Sequence, residues 1–448
     1  MMKKILTLTL IFLFISGPMV IAQQKGAISE KELETIKKAY QKSDYMKAVT
    51  NAATHNSLKK LAKNRETAGK IDHYFEHKID VSGITDQKKS GRCWMFTGLN
   101  VMRPKVNEHF NMSEFEFSTN YLYFYDQLEK ANLFLEGIIS TREKEMKDRK
   151  VEWFFKHPIG DGGVWNSFTN LVTKYGLVPK EAMPETENSE NTYRMQKLIR
   201  RKLREYGLVL RRMHEDGKKY DALQEQKLEM LGEVYKMLAI TLGEPPAEFT
   251  WRYKDKDGNV SEEKTYTPMS FYKEILTVTM DDYVMLMDDP TRPYYKLYEI
   301  EYDRNVLEGR NWVYINLPAD EIKPFAIASI KEKEAMYFSC DVGKQLDSDA
   351  GILSVDNYDY ETLLDVNFGM DKKDRIMTFE SGSSHGMALV GVDLDKEGKA
   401  DKWLLENSWG ATSGNKGFLT MTDKWFDEYM FRVVVLKKFI DQETLKIL

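Results

Sequence analysis

Apolar and polar positions follow two periods along this chain, one helical and one strand-like, and each belongs to a different stretch. Ser29-Glu30-Lys31-Glu32 has capping-box spacing, and Leu33, Ile36 and Tyr40 follow on one helical face. Residues 92–103 are apolar and helix-prone, and Pro104 pushes Arg103 away from helical geometry, which predicts a short helix. A second helix is written after Gly162-Gly163, where Trp165, Phe168, Val172 and Tyr175 share a face and Gly176 ends it. Residues 191–240 keep a long helical period with 19 of 50 positions charged, which predicts a helical insertion. Phe249 to Tyr266 has the form of a hairpin turning at Asp257-Gly258. From Val313 to Leu436 the chain breaks into short strand-like runs with turn residues between them.

The first 22 residues fit neither period. Lys3 and Lys4 precede an apolar run from Ile5 to Ser16, Gly17-Pro18 interrupt it, and Val20 and Ala22 supply small side chains for a cleavage site. The stretch is shorter and more interrupted than the ~20 apolar residues that span a bilayer. It predicts a cleaved export signal, cut after Ala22, leaving no stable membrane anchor on a periplasmic or secreted protein. Composition adds exclusions. With 65 Lys+Arg against 70 Asp+Glu and 42% hydrophobic residues, the 448-residue chain is neither fibrous nor disordered nor multi-spanning. Its net charge of −5 gives no reason to expect nucleic acid as a partner. The one basic run, Arg194 to Arg212, reads as a solvated helix or a subunit contact, with salt-dependent DNA binding as its rival.

Candidate chemistry begins at Gln87-Lys88-Lys89-Ser90-Gly91-Arg92-Cys93-Trp94. Cys93 follows a glycine turn and opens an apolar helix, where backbone N–H groups and the helix dipole favour a thiolate. Gln87, six positions upstream, can fold its amide over the sulfur and form a two-donor oxyanion hole with the Cys93 N–H. His385 is the base candidate, at the mouth of an apolar strand. A second strand carries Trp403 through Glu406-Asn407-Ser408-Trp409-Gly410, and Lys396-Glu397-Gly398 suit a turn between the two. A turn centred on Lys396 sets His385 opposite Asn407, whose amide then orients the imidazole while Trp409 shelters the bond from water. Cys340 is the only other cysteine, and a bridge to Cys93 competes with a catalytic thiol beside a spectator.

These motifs resemble the papain-like cysteine peptidases, although His385 and Asn407 lie 292 and 314 residues after Cys93 rather than ~130–150. The charged helical stretch accounts for that excess. Ser90-Gly91-Arg92-Cys93-Trp94, Leu99-Asn100-Val101-Met102-Arg103, Leu242-Gly243-Glu244-Pro245-Pro246, Phe249-Thr250-Trp251, Cys340-Asp341-Val342-Gly343-Lys344 and Glu406-Asn407-Ser408-Trp409-Gly410 are similar to the bleomycin hydrolase/aminopeptidase C branch. The resemblance implies an α+β fold with a helical lobe and an antiparallel β lobe over residues 23–448, carrying a helical and hairpin insertion at about 185–270. It implies Cys93 as nucleophile, His385 as base, Asn407 as orienter, Gln87 in the oxyanion hole, and Gly162 and Gly163 against the substrate backbone beside Trp409. A cysteine aminopeptidase without cofactor or metal, acting on peptides as a homohexamer, is the implied function.

Two further readings compete. His73-Tyr74-Phe75-Glu76-His77 fits the H-x-x-E-H zinc pattern, which needs both histidines on one helical face, whereas its surroundings favour strand or loop. The arm at 439–448 is shorter than the branch's C-terminal arm, which leaves an open-cleft endopeptidase as the alternative to an aminopeptidase.

Overall fold

The computed structural model describes residues 26–40, 42–276 and 278–448, so the export-signal stretch lies outside the described residues. Residues up to Ala62 form one compact unit and Lys63–Leu448 a second. In the first, Ser29 and Glu32 make the expected reciprocal cap on helix Glu30–Lys37, and Ser43 caps helix Asp44–His55. Tyr40 and Thr50 join the two through a 2.8 Å hydroxyl contact.

The second unit is built on one large, mostly antiparallel sheet. Its order runs Lys296–Ile300, Trp312–Asn316, Tyr283–Met287, Met430–Leu436, Met336–Cys340, His385–Leu394, Ala400–Glu406, Phe418–Thr422 and then two short strands. Helices Cys93–His109, Thr119–Ser140 and Trp165–Tyr175 pack in a core with Tyr337, Ala388, Val390 and Leu404 of the sheet. A second core places Ala319–Lys331 and Asp423–Tyr429 with Phe338, Leu389 and Trp403. Successive strand residues therefore serve different cores, which explains runs such as Val433-Val434-Val435 that are buried throughout.

The expected insertion is two long helices, Tyr193–Glu215 and Tyr220–Leu242, followed by the Phe249–Trp251/Lys264–Tyr266 hairpin with Gly258 at φ +89°. Helix Trp165–Tyr175 ends at Gly176, φ +75°, as its sequence implies. The Pro104 expectation is corrected: helix Cys93–His109 runs straight through it. An interior proline costs ~3 kcal/mol of helix stability. The burial of Met102 and Val106, together with the anchored Arg103, offsets that cost. Tertiary packing overrides local preference here.

Candidate active site

Cys93 is the first residue of its helix, and the loop before it is bonded from both sides. The Gln87 N–H donates to the Ser408 carbonyl at 2.8 Å, and Ser90 Oγ donates to the Gln87 carbonyl at 2.6 Å. The Gln87 amide is itself clamped: Nε2 donates to the Ser90 carbonyl at 2.7 Å, and Oε1 accepts from Ser408 Oγ at 2.8 Å. One amide N–H is thus used within the loop and the other is left for an oxyanion. Arg92, wholly buried, donates to Ser90 Oγ and pairs with Glu185 at 2.9 Å, which secures the turn from behind.

Asp161 fixes the other flank. Its carboxylate accepts from the Gly91 N–H (2.9 Å), Tyr123 Oη (2.7 Å), Thr192 Oγ1 (2.5 Å) and Gln196 Nε2, while its carbonyl accepts from Trp94 Nε1 at 2.6 Å. Thr192 and Gln196 belong to the helical insertion, so one carboxylate ties the insertion to the turn before Cys93. Gly162 and Gly163 follow directly. A Cβ on Gly163 would lie 2.6 Å from the Trp94 ring, so close packing requires glycine there, whereas a Cβ on Gly162 would meet open space. Lys130 Nζ holds this strip by donating to the carbonyls of Gly160 (2.8 Å) and Gly162 (2.7 Å).

On the sheet side, His385 Nε2 lies 2.8 Å from Asn407 Oδ1. The same oxygen accepts from the Ser408 N–H at 2.8 Å, and a backbone N–H can only donate, which identifies that atom as oxygen. Nε2 therefore carries the proton, and Nδ1 of the neutral ring is the nitrogen able to take another. The Trp409 ring covers the imidazole, with centroids 4.8 Å apart and planes 32° from parallel. The bond is as expected, but its register is not. Ala388 pairs with Glu406 and Leu389 with Leu405, and the turn closes with the Asp395 N–H donating to the Lys399 carbonyl. Continued to His385, this ladder places Asn407 two residues short of the opposing position, a diagonal neighbour. The three-residue turn is centred on Glu397 rather than Lys396, with Gly398 at φ +79°, and this alone accounts for the shift; the irregularities at Leu389/Gly391 and Asp393/Leu394 cancel each other.

Burial pushes the Cys93 thiol up, and bonds from the backbone N–H groups of Gly386, Trp94 and Cys93 itself draw it back only in part. The backbone N–H groups thus act in the expected direction, while desolvation of the sulfur outweighs them. Burial also lowers the His385 imidazole to about 4, against the Asn407 bond that raises it. Both shifts run toward the uncharged forms of the two groups. Both cysteines are free, and Cys340 is buried in its strand.

A buried ion pair joins the two halves of the site. Arg103, on the Cys93 helix, reaches Glu406 at 2.5 Å, next to Asn407, and also donates to Asn100 Oδ1 and the Gly83 carbonyl. Removing one partner of such a pair costs ~3–5 kcal/mol. Arg103, Glu406 and Ser408 stand inside the sequence motifs with no role evident there, and Asp161 lies outside all of them. The only local signal for Asp161 is its place before Gly162.

The rival motifs fall elsewhere. His73 and Glu76 lie on non-helical chain and His77 on a two-residue strand, so the helix that H-x-x-E-H needs is absent there. His73 Nδ1 meets Thr420 Oγ1 at 2.7 Å. In the basic run, Arg200, Arg204 and Arg211 donate to the carbonyls of Ile159, Phe155 and Thr141, a structural use of those side chains. Leu448 is exposed and borders a cavity of about 520 Å³ with Trp165, Asn166 and Lys437, whose lining does not include Cys93 or His385.

Comparison with known proteins adds an independent line. The profile of the peptidase C1-like family matches residues 27–448. Aminopeptidase C of Streptococcus thermophilus is 40% identical over 400 residues, 89% of this chain and 90% of that protein. Human (Homo sapiens) bleomycin hydrolase is 39% identical over 435 residues, 94% of this chain and 95% of its own length. The crystal structure of PepW from Lactobacillus rhamnosis HN001 superposes with a TM-score of 0.92 at 36% identity, covering 95% of each chain.

Proposed function

Given that the chain belongs to the peptidase C1-like family, we propose that it is a cysteine aminopeptidase that removes N-terminal residues from peptides at Cys93. The observation that carries this reading is the Asn407–His385 bond, which places the proton on Nε2 and leaves Nδ1 as the base. As Cys93 Sγ attacks the substrate carbonyl, its proton passes to His385 Nδ1, so charge develops during reaction rather than at rest. The oxyanion is stabilised by the Cys93 N–H and the remaining Gln87 Nε2–H. Collapse of the tetrahedral adduct breaks the peptide C–N bond, and the imidazolium gives its proton to the departing amine. Water, deprotonated by His385, then attacks the thioester; its collapse frees the carboxylate and returns the proton to sulfur. The open space over Gly162 supports its role, with Gly163, in pairing with the substrate backbone.

Mass spectrometry of peptides with free and acetylated amino ends, digested by wild type and Cys93→Ala, tests this function. Free-amine peptides should lose N-terminal residues to wild type alone. A second reading rests on the exposed Leu448 beside a separate cavity, which favours an open cleft and internal cleavage. Equal cleavage of free and acetylated peptides would establish it. Export through cleavage after Ala22 and assembly as a homohexamer belong to the same proposal, supported by the signal-like sequence and the family resemblance. N-terminal sequencing of the secreted protein and light scattering of the purified protein test these in turn.

A further inference from the structure

Beside Gly162 the surface sinks into a cavity of about 420 Å³ whose charged lining is of one sign. Lys130, Lys156, Arg200 and Arg304 line it, His157 joins them, and no carboxylate does, although the chain as a whole is net acidic. The four cations are not equally occupied. Lys130 is matched by Asp126 at 2.7 Å, and Lys156 by Glu152 at 2.8 Å in an exposed pair. Arg200 spends Nε on the Ile159 carbonyl and Nη2 on Gln196 Oε1, both neutral. Arg304 spends Nη1 on Asn311 Oδ1 at 3.2 Å, and its Nε is buried with no acceptor. Among the described residues, neither guanidinium has a carboxylate within ion-pair distance.

Two guanidiniums that line one cavity without a counter-charge form a site that an anion would complete. Tyr302 and Trp153 supply apolar wall on the same cavity, suited to the methylene stem of a side chain. We propose that this cavity receives an acidic side chain, Asp or Glu, of the peptide substrate, with Arg304 and Arg200 as the residues that determine the preference. The proposal rests on the peptidase reading above and deepens it, because Gly162 joins the cavity to the strip where the substrate backbone would lie.

The test walks one Glu, and in parallel one Gln, along a free-amine alanine hexapeptide and measures kcat/KM for each member. At one position wild type should prefer Glu over its isostere by about tenfold or more at low salt, with the ratio shrinking in 0.5 M NaCl. Arg304→Gln should bring the ratio close to one, and Arg304→Lys should restore part of it, which separates recognition from a fold defect. Peptide affinity of the Cys93→Ala protein reads the same ratio without turnover. Absence of hydrolysis in wild type would therefore overturn the peptidase reading, and a Glu/Gln affinity ratio near one at every position would overturn the acidic pocket. A wild-type preference that survives Arg304→Gln intact would also overturn it.

Discussion

Two cysteines lie close to His385 by different routes. Cys340 is its direct antiparallel partner in the sheet, while Cys93, distant in sequence, meets the N–H of the adjacent Gly386 from the start of its helix. Burial raises both thiols. Around Cys340 the remaining influences push the same way, since neighbouring Asp341 disfavours a thiolate further, and the strand is paired on both edges by His385 and Met430. Around Cys93 three backbone N–H groups pull downward against burial and the Asp161 charge, and the residue is only partly covered. Position in a ladder therefore does not make a nucleophile. Donors aimed at the sulfur and a path for substrate do.

Removing the nucleophile or its base should have the largest effect. Cys93→Ala and His385→Ala should each lower kcat by about 10⁴-fold or more, since nucleophile and base act as one unit. Activity retained in Cys93→Ala, assayed on free-amine peptides, would transfer the role to another group. Gln87→Ala removes one oxyanion donor and should cost about 10²–10³ in kcat with little change in KM. Asn407→Ala leaves the imidazole in place but unoriented, and a smaller loss than for His385→Ala is expected from the same assay.

Titration sharpens the contrast further. With the thiol removed in Cys93→Ala, the His385 ring should titrate near pH 4 by NMR rather than near 6.5. The sign follows from burial: between pH 6.5 and 4 the unfolded chain takes up a proton that the folded one refuses. Stability should therefore fall as the pH drops through that window, by on the order of 3 kcal/mol from this residue, measured by urea unfolding. The smallest effect on catalysis belongs to Cys340→Ser, which should keep kcat within about threefold. Its buried hydroxyl should nevertheless lower stability by ~1–3 kcal/mol, and iodoacetamide should label Cys93 and spare Cys340 in the folded enzyme.

Local chemistry made much of this molecule legible in its sequence. The Ser29 cap, the stop at Gly176 and the turn at Asp257-Gly258 each depend on a few adjacent residues, and the structure forms all three. Cys93 at a helix start was readable for the same reason, whereas the His385–Asn407 bond was reached through the resemblance of its motifs and a register that the sheet does not keep. Where a distant partner decides, reading failed. Pro104 stays helical because Arg103 finds Glu406 some 300 residues away, and the hairpin turn closes one residue later than its composition suggests, which moves the register by two. Asp161 draws its four donors from Gly91, Tyr123, Thr192 and Gln196, and no spacing rule connects them.

Ser408 bonds to both halves of the chemistry at once. Its carbonyl and hydroxyl hold the loop and amide of Gln87, and its N–H holds the oxygen of Asn407. The two groups consequently share one mechanical reference, and their positional errors are correlated. When Ser408 drifts, oxyanion donor and imidazole orienter drift together, so the site samples configurations that are aligned in both respects or in neither. A serine with no part in bond making thus governs how often, rather than how fast, the assembled machinery is ready to react.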